Sequence, residues 1–277
     1  MFCRGEWRLI KRQLSFFILL GLLSVSQLSY SLKLTRVILA TDANPMYLEF
    51  WPVAAKVWAH VTGLRPTLAL VADSSVTIDA SLGDIVRFEP LPGIPTAMQA
   101  QVIRLLLPAL YPNDGCLISD IDMIPLQRDY FIKNALPYPT DSFIIYRDQA
   151  YGGGDDRYPM CYVAGQGRVF AEIFGIDRQQ RMTSIKNKLK ELAALNLGWD
   201  TDELTLARAT NVWVAAQPQR LIKLHQGVGP RIDRSRWRYD LRRLRSGSYY
   251  LDAHLLRPYS RYKQEIDTLI QRLGIKL

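Results

Sequence analysis

Three cysteines in 277 residues, Cys3, Cys116 and Cys161, are too few for a disulfide framework, so the chain must rest on a packed core. Internal repeats and long low-complexity stretches are also missing, which leaves one catalytic-size domain behind an N-terminal segment. Hydrophobic residues make up 48% and charged residues 22%, and that balance excludes a disordered chain. No G-x-G-x-x-G follows the first strand-like segment, which reads ATDANP, and GQGRVF (165–170) lacks the third glycine. A dinucleotide fingerprint is therefore absent where it would be needed. Acids are the scarcer charge, 26 against 35 Lys and Arg, for a net charge of +9. Much of the excess lies in 220–245, where Arg220, Lys223, Arg231, Arg234, Arg236, Arg238, Arg242, Arg243 and Arg245 face only Asp233 and Asp240. Such a run reads as a solvated face, or as an attractor for an anionic substrate or membrane surface. No zinc-knuckle spacing or nucleic-acid motif accompanies it, so nucleic acid is not an expected partner.

Charge is missing altogether from Gln13 to Leu32, behind the basic cluster Arg4, Arg8, Lys11 and Arg12. Twenty uncharged residues suffice to span a bilayer. Residues 1–32 read either as an uncleaved signal anchor with its basic end in the cytosol or as a cleaved signal peptide. The catalytic-size domain is then expected at 33–277.

Beyond residue 34, strand-like and helix-like segments alternate. TRVILATD (35–42), RPTLALVAD (65–73) and DIVRFEPL (84–91) are apolar runs of strand length. Residues 46–62 and 96–112 carry apolar groups at helical spacing, with Pro52 near the start of the first. DSFIIY (141–146) is a further strand, and 160–175 reads as strand, glycine turn and helix. This alternation predicts an α/β fold, a three-layer α/β/α sandwich on a mixed, mostly parallel sheet. Ligands in such sheets meet the carboxyl ends of the strands. Thr41, Asp42, Asp73, Asp120 and Asp122 fall at those ends.

CLISDIDMIPL (116–126) places Asp120 and Asp122 two residues apart within apolar sequence. On a strand they would share a face about 6.6 Å apart, repelling by roughly 2.5 kcal/mol at an effective dielectric near 20. A divalent cation removes that repulsion, and carboxylate oxygens suit Mg²⁺ or Mn²⁺. A D-x-D-x-T phosphatase is excluded, because its pair belongs on the first strand and residue 124 is Ile.

The succession ATD, AQVIRLLLPALYP, CLISDIDMIPL, CYVAGQGRVFAEIFG, GWDTDE and DAHLLRP resembles nucleotide-sugar-dependent glycosyltransferases of the GT-A fold. It is similar in flow to glycosyltransferase family 8, over roughly residues 35–258. The resemblance implies a metal-dependent transferase moving a sugar from a nucleoside-diphosphate sugar to a hydroxyl of a glycan, lipid or protein. Asp120 and Asp122 then correspond to the metal and diphosphate motif, with Mn²⁺ or Mg²⁺ as the cofactor. Arg104, Thr41, Asp42 and Asp73 correspond to the donor site, and Gly165 and Gln166 to a backbone passing close to the sugar. His254 is the expected third metal ligand, with His225 in HQGVGPR as its competitor. The family's late H-x-x-G-x-x-K-P-W is absent, while His60 is expected to be structural. Asp202 and Glu203 correspond to the acid near the acceptor, serving as base in an inverting enzyme or orienting sugar hydroxyls in a retaining one.

Nucleotide sugar is found in the Golgi or ER lumen rather than outside a cell. An anchored type II protein is therefore expected in a eukaryote or its virus, with a membrane-associated bacterial enzyme or a secreted protein as the alternatives. The competing functions are a non-catalytic nucleotide- or carbohydrate-binding module and a metal-dependent nucleotidyltransferase.

Overall fold

The computed structural model describes residues 31–276, apart from 153, 154 and 196. The anchor or signal segment expected at 1–32 lies outside the described residues except for its last two, and these belong to the packed domain. Ser31 bridges Pro139, while Leu32 is fully buried and donates its N–H to the Tyr138 carbonyl at 2.8 Å. Packing thus includes two residues before the expected boundary at 33. Among the described residues no helix is long and apolar enough to cross a membrane.

Strand β1 (Leu34–Asp42) leads into the short helix α1 (Pro45–Leu48) and then α2 (Trp51–Thr62). The single helix expected over 46–62 is therefore two, with Pro52 in the first turn of α2, where its missing N–H costs nothing. Next come β2 (Arg65–Val71), β3 (Asp84–Phe88), α3 (Thr96–Leu106), β4 (Gly115–Ile118) and β5 (Met123–Pro125). Helix α4 (Arg128–Lys133) precedes β6 (Phe143–Ile145) and β7 (Val163–Gln166). Helices α5 (Gly167–Phe174), α6 (Arg181–Ala194) and α7 (Thr201–Val214) follow. The chain ends with β8 (Leu221–Lys223), β9 (Arg231–Asp233), α8 (Leu241–Arg245), β10 (Asp252–His254) and α9 (Lys263–Arg272).

Seven strands form the main sheet in the order β3-β2-β1-β4-β7-β6-β8. The first four run parallel, β7 is antiparallel to both its neighbours, and β8 is parallel to β6. This is the mixed, mostly parallel α/β sheet anticipated from the alternation. Its two faces bury separate cores, and β1 shows why the strand reads as an unbroken apolar run. Val37 and Leu39 enter the core containing Trp51, Trp58 and Phe131, whereas Ile38 enters the core beneath α3, α5 and α6. Strands covered on both faces lose the polar alternation of a half-exposed strand. Cys116 is a buried free thiol, while Cys161 is free and half-buried.

A second sheet, β5-β10-β9, hangs from the end of β4 and delivers several charged side chains to one place. It is tied to the main sheet by a buried ionic cluster. Arg147, just beyond β6, and Arg231 on β9 each donate to Asp252 at 3.0 Å, and the Tyr162 hydroxyl donates to the same carboxylate at 2.6 Å. Arg147 and Asp252 are both fully buried. Burial pushes the Asp252 carboxyl up, but the two guanidinium charges and the donated hydrogen bonds outweigh it and hold it below the usual range. Its stabilisation is therefore present above the ordinary carboxylate pKa and disappears as pH falls through the lower folded value.

Replacing Asp252 with Asn leaves two buried guanidinium groups without their counter-charge, which costs about 3–5 kcal/mol. Urea unfolding at neutral pH should show that loss. The difference from wild type should begin to narrow below about pH 4, where the unfolded carboxylate protonates, and close as pH passes through the lower folded value.

Candidate functional site

At the carboxyl ends of β1 and β4 the two sheets enclose a cleft of about 320 Å³. Its wall takes residues from distant parts of the chain: Thr41 and Asp42, Arg104, Asp120 and Asp122, Asp202 and Glu203, and His254. Eight expected site residues therefore meet around one space. The lining is rich in charged groups, with Ala40, Ala97, Ala100, Ile121 and Met160 as its apolar part, and convergent polar groups of this kind mark a candidate ligand site.

Asp120 and Asp122 do not lie on a strand. The ladder ends at Ile118, and a turn closed by Met123 N–H donating to the Asp120 carbonyl at 3.2 Å carries both aspartates to β5. Each carboxylate has its own cation, so neither like-charge repulsion nor exposure resolves the pair. Arg104, near the carboxyl end of α3, donates to Asp120 and, at 2.5 Å, to Asp202. Burial lowers the acidity range available to this guanidinium, yet the two carboxylates together raise its pKa and keep it charged. Its Nε finds no acceptor among the described residues.

Asp122 is built in from the other side. Its carbonyl accepts the Leu255 N–H at 2.8 Å, and His254 on β10 lies opposite Met123 in the ladder. That register brings His254 Nε2 to 3.4 Å from the Asp122 carboxylate, while Nδ1 stands 3.5 Å from Asp233. Strand β9 ends at Asp233, which caps the turn that aims Arg234 at Asp122 with a 2.6 Å hydrogen bond. Arg257, three residues after His254, lies 3.7 Å from the same carboxylate and donates to the Tyr47 hydroxyl. Burial pushes the Asp122 carboxyl up, but the His254 hydrogen bond and the charges of His254, Arg234 and Arg257 prevail and hold it below the usual range.

Asp42 is fixed by the Asn44 N–H at 3.0 Å and the Thr96 hydroxyl at 2.7 Å. Asp202 and Glu203 open the first turn of α7, where the helix dipole favours acids. Both carboxyls are raised. For Asp202 the cause is burial, opposed by Arg104; for Glu203 it is burial again, opposed by the hydrogen bond donated by Tyr151. Asp202 is committed to Arg104, whereas Glu203 faces the cleft beside Tyr151 and Arg157.

Three expected donor residues are not in the cleft. Asp73 is exposed and caps its own turn, accepting the Ser75 N–H at 2.8 Å. Gly165 and Gln166 lie at the other end of the sheet, because β7 is antiparallel and pairs Gly165 with Cys116 and Gln166 with Gly115. A Cβ on Gly165 would meet the Phe143 ring at 3.1 Å, so this glycine serves packing. The glycine turn expected after it is also absent. Gly167 begins α5 directly, and its missing Cβ clears the Tyr111 carbonyl, which would stand 2.1 Å away. His225 is excluded from the cleft, its ring 73% exposed beside Asp148, and His60 is exposed on α2.

Arg157, Arg234 and Arg257 were not anticipated individually. The basic run at 220–245 offered Arg234, but it divides in the structure. Arg231 enters the Asp252 cluster, Arg220 pairs with Glu172 at 2.8 Å, and Arg234 enters the cleft. Arg236, Arg238, Arg242 and Arg245 have no carboxylate partner among the described residues and form the solvated part.

The donor set bears on a metal ion. Asp122 and His254 fit one, because two ligands each about 2.1 Å from a cation stand some 3.0–3.4 Å apart. Asp233 takes the far imidazole nitrogen, the outer-shell contact that fixes a ligating histidine. Asp120 is engaged by Arg104, and among the described residues no three His, Cys, Asp or Glu side chains are gathered as a metal cluster. Four arginines face six carboxylates across the cleft wall, so its formal charge is negative.

No family model matches the chain, and no curated protein matches it in sequence. Among solved structures it is similar to the glycosyltransferase GlyE of Streptococcus pneumoniae TIGR4, with 10% identity and a TM-score of 0.47. That match covers 88% of this chain and 61% of the GlyE chain, so this chain spans under two thirds of that neighbour's length. It is also similar to the galactosyltransferase LgtC in complex with donor and acceptor sugar analogs, with 12% identity and a TM-score of 0.45 over 87% of this chain and 95% of LgtC. An active-site mutant of LgtC gives 14% identity and a TM-score of 0.48 at the same coverage.

Proposed function

We propose that the protein is a metal-dependent glycosyltransferase that moves a sugar from a nucleoside-diphosphate sugar to an acceptor hydroxyl. The observation carrying this reading is the convergence on one strand-end cleft of Asp120, Asp122 and His254 with Arg104 and Glu203. Thr41 and Asp42 border the nucleoside end. Asp122 and His254 would hold Mn²⁺ or Mg²⁺, with Asp120 across the turn, and the cation supplies positive charge to the departing diphosphate. Arg234 and Arg257 stand where they can donate to phosphate oxygens in the bidentate manner of guanidinium groups. Asp202 positions Arg104, and through it Asp120. Glu203 is the carboxylate free to take the acceptor's proton. The oxygen–anomeric carbon bond then forms as the bond to the diphosphate breaks. The uncharged segment before the domain would keep the protein at a membrane where nucleotide sugars are supplied, and the acceptor would be a glycan, lipid or protein.

The full chain supplied with Mn²⁺ and a panel of nucleotide sugars should release nucleoside diphosphate from at least one of them. EDTA and Asp122→Ala should each abolish release. Equal rates in EDTA would remove the metal role, pyrophosphate as product would assign a nucleotidyltransferase, and metal-dependent binding without turnover would assign a binding module.

The raised Glu203 carboxyl sets a second expectation. A base must be ionised, so the rate should fall as pH drops through a value above the ordinary glutamate range of about 4.3. Glu203→Gln should lower kcat by about 10²- to 10⁴-fold and remove that acid limb from the residual rate.

A further inference from the structure

The two ends of the cleft differ in chemistry. Around Asp122 stand His254, Arg234 and Arg257, a setting for phosphate. A second group of lining residues, with no hydrogen bond or ion pair to Asp122 or its partners among the described residues, is aromatic and acidic: Tyr151, Trp199, Asp200 and Glu203. Arg157 is held in that group by Asp155 at 2.7 Å and Asp200 at 3.0 Å, with Glu203 at 3.8 Å. Three carboxylates to one guanidinium make this end repel phosphate and accept hydrogen bonds from hydroxyl groups.

Trp199 is the unexplained residue there. It rides on the single turn Gly198–Asp200 ahead of α7, whose backbone is fixed by the Thr201 hydroxyl donating to the Gly198 carbonyl at 2.6 Å. Gln101 on α3 donates to the Trp199 carbonyl at 3.3 Å. The main chain is thus pinned, yet the residue is 67% exposed at the cleft wall. A side chain with so much apolar surface ordinarily goes to the core. Among the described residues no ring or cation stacks on it. Tyr151 is less available, since Arg157 covers one face of its ring at 4.4 Å and its hydroxyl is given to Glu203. An uncovered indole on a pinned main chain beside acceptor-only carboxylates matches a pyranose, which has one face of C–H groups and a rim of hydroxyl donors.

We infer that Trp199 is the platform of the acceptor subsite, and that the acceptor presents a neutral pyranose rather than a phosphorylated or carboxylated one. The sugar packs its C–H face on the indole, donates hydroxyls to Asp200 and Glu203, and offers to Glu203 the hydroxyl that attacks. This rests on the glycosyl-transfer reading, and it adds the class of the second substrate.

The test uses the full chain with Mn²⁺ and a nucleotide sugar it turns over. Methyl hexopyranosides serve as acceptors, with uronic acids and hexose 6-phosphates as their charged counterparts. For Trp199→Ala the acceptor KM should rise about tenfold, as for one lost aromatic face, while the donor KM moves less than about twofold. Trp199→Phe should recover most of the loss, and charged acceptors should be poor with every form. A rise in donor KM with acceptor KM unchanged would move Trp199 to the nucleoside and overturn the inference, as would a preference for charged acceptors. If no nucleotide sugar is turned over, the glycosyl-transfer reading fails by itself. Tryptophan fluorescence still decides the platform: methyl hexopyranosides should blue-shift the wild type and leave Trp199→Phe unmoved, and an absent difference would reject it.

Discussion

One guanidinium, that of Arg104, joins the three chain segments on which the cleft depends. It lies near the end of α3, reaches Asp120 in the turn after β4, and reaches Asp202 in the first turn of α7. Burying Arg104 and Asp202 is costly, and the arrangement persists only because each charge meets its opposite in hydrogen-bonding geometry, with the half-exposed Asp120 as the guanidinium's second partner. Removing any member would strand the others in a low-dielectric setting. The turn that carries Asp120 and the helix that carries Glu203 therefore cannot shift independently. Asp202 does its work here through Arg104, and the neighbouring Glu203 is left free to face the cleft.

A second buried ion cluster does the same for the small sheet. Asp252 and His254 lie two residues apart on β10, and the fully buried Asp252 is clasped by Arg147 from the main sheet and Arg231 from β9. Fixing Asp252 fixes the register that puts His254 opposite Met123 and so beside Asp122. The aromatic packing around this cluster is dense, with Phe131 and Tyr162 centroids 4.8 Å apart and Trp58 donating its indole N–H to the Met123 carbonyl at 3.1 Å. The strand that presents His254 is only three residues long, and ionic and aromatic anchoring compensates for its short ladder.

The parts of this architecture legible in the sequence are those governed by local pattern. TRVILATD, RPTLALV and CLI are strands because both sheet faces are covered, and the helix carrying Arg104 follows from its apolar spacing. Asp120, Asp122, Arg104 and His254 line one cleft, but only the place of the two aspartates just beyond β4 follows from the strand-end rule; His254 arrives on β10 of the small sheet and Arg104 on α3. What could not be read was strand direction. VAGQ has the same composition whether it runs parallel or antiparallel, and the antiparallel outcome sends Gly165 and Gln166 to the far edge. The apolar residues on both sides of Asp120 and Asp122 likewise conceal a turn that passes the chain from one sheet to the other. Nor does a run of arginines reveal which one points inward: Arg234 does so because Asp233 caps the turn that aims it. Trp199 carried no periodic signal at all, being a single residue on a single turn.

The charges of the cleft bear on how a diphosphate could occupy it. Four arginines against six carboxylates leave a formal excess of negative charge, which by itself repels a nucleoside diphosphate. Arg234 and Arg257 are drawn to Asp122, so they can turn to phosphate only if another positive charge takes their place beside that carboxylate. The lowered Asp122 pKa means that protonation does not supply this relief near neutral pH. In the proposed reaction a divalent cation accompanying the diphosphate would supply it, and the same exchange would free two guanidinium groups for the phosphate oxygens. The aromatic and acidic wall gains nothing from that cation and stays unfavourable to anions. On the proposed glycosyl-transfer reading, this uneven distribution of charge would orient the two substrates, with the anionic donor at the end where arginines can be released to meet it.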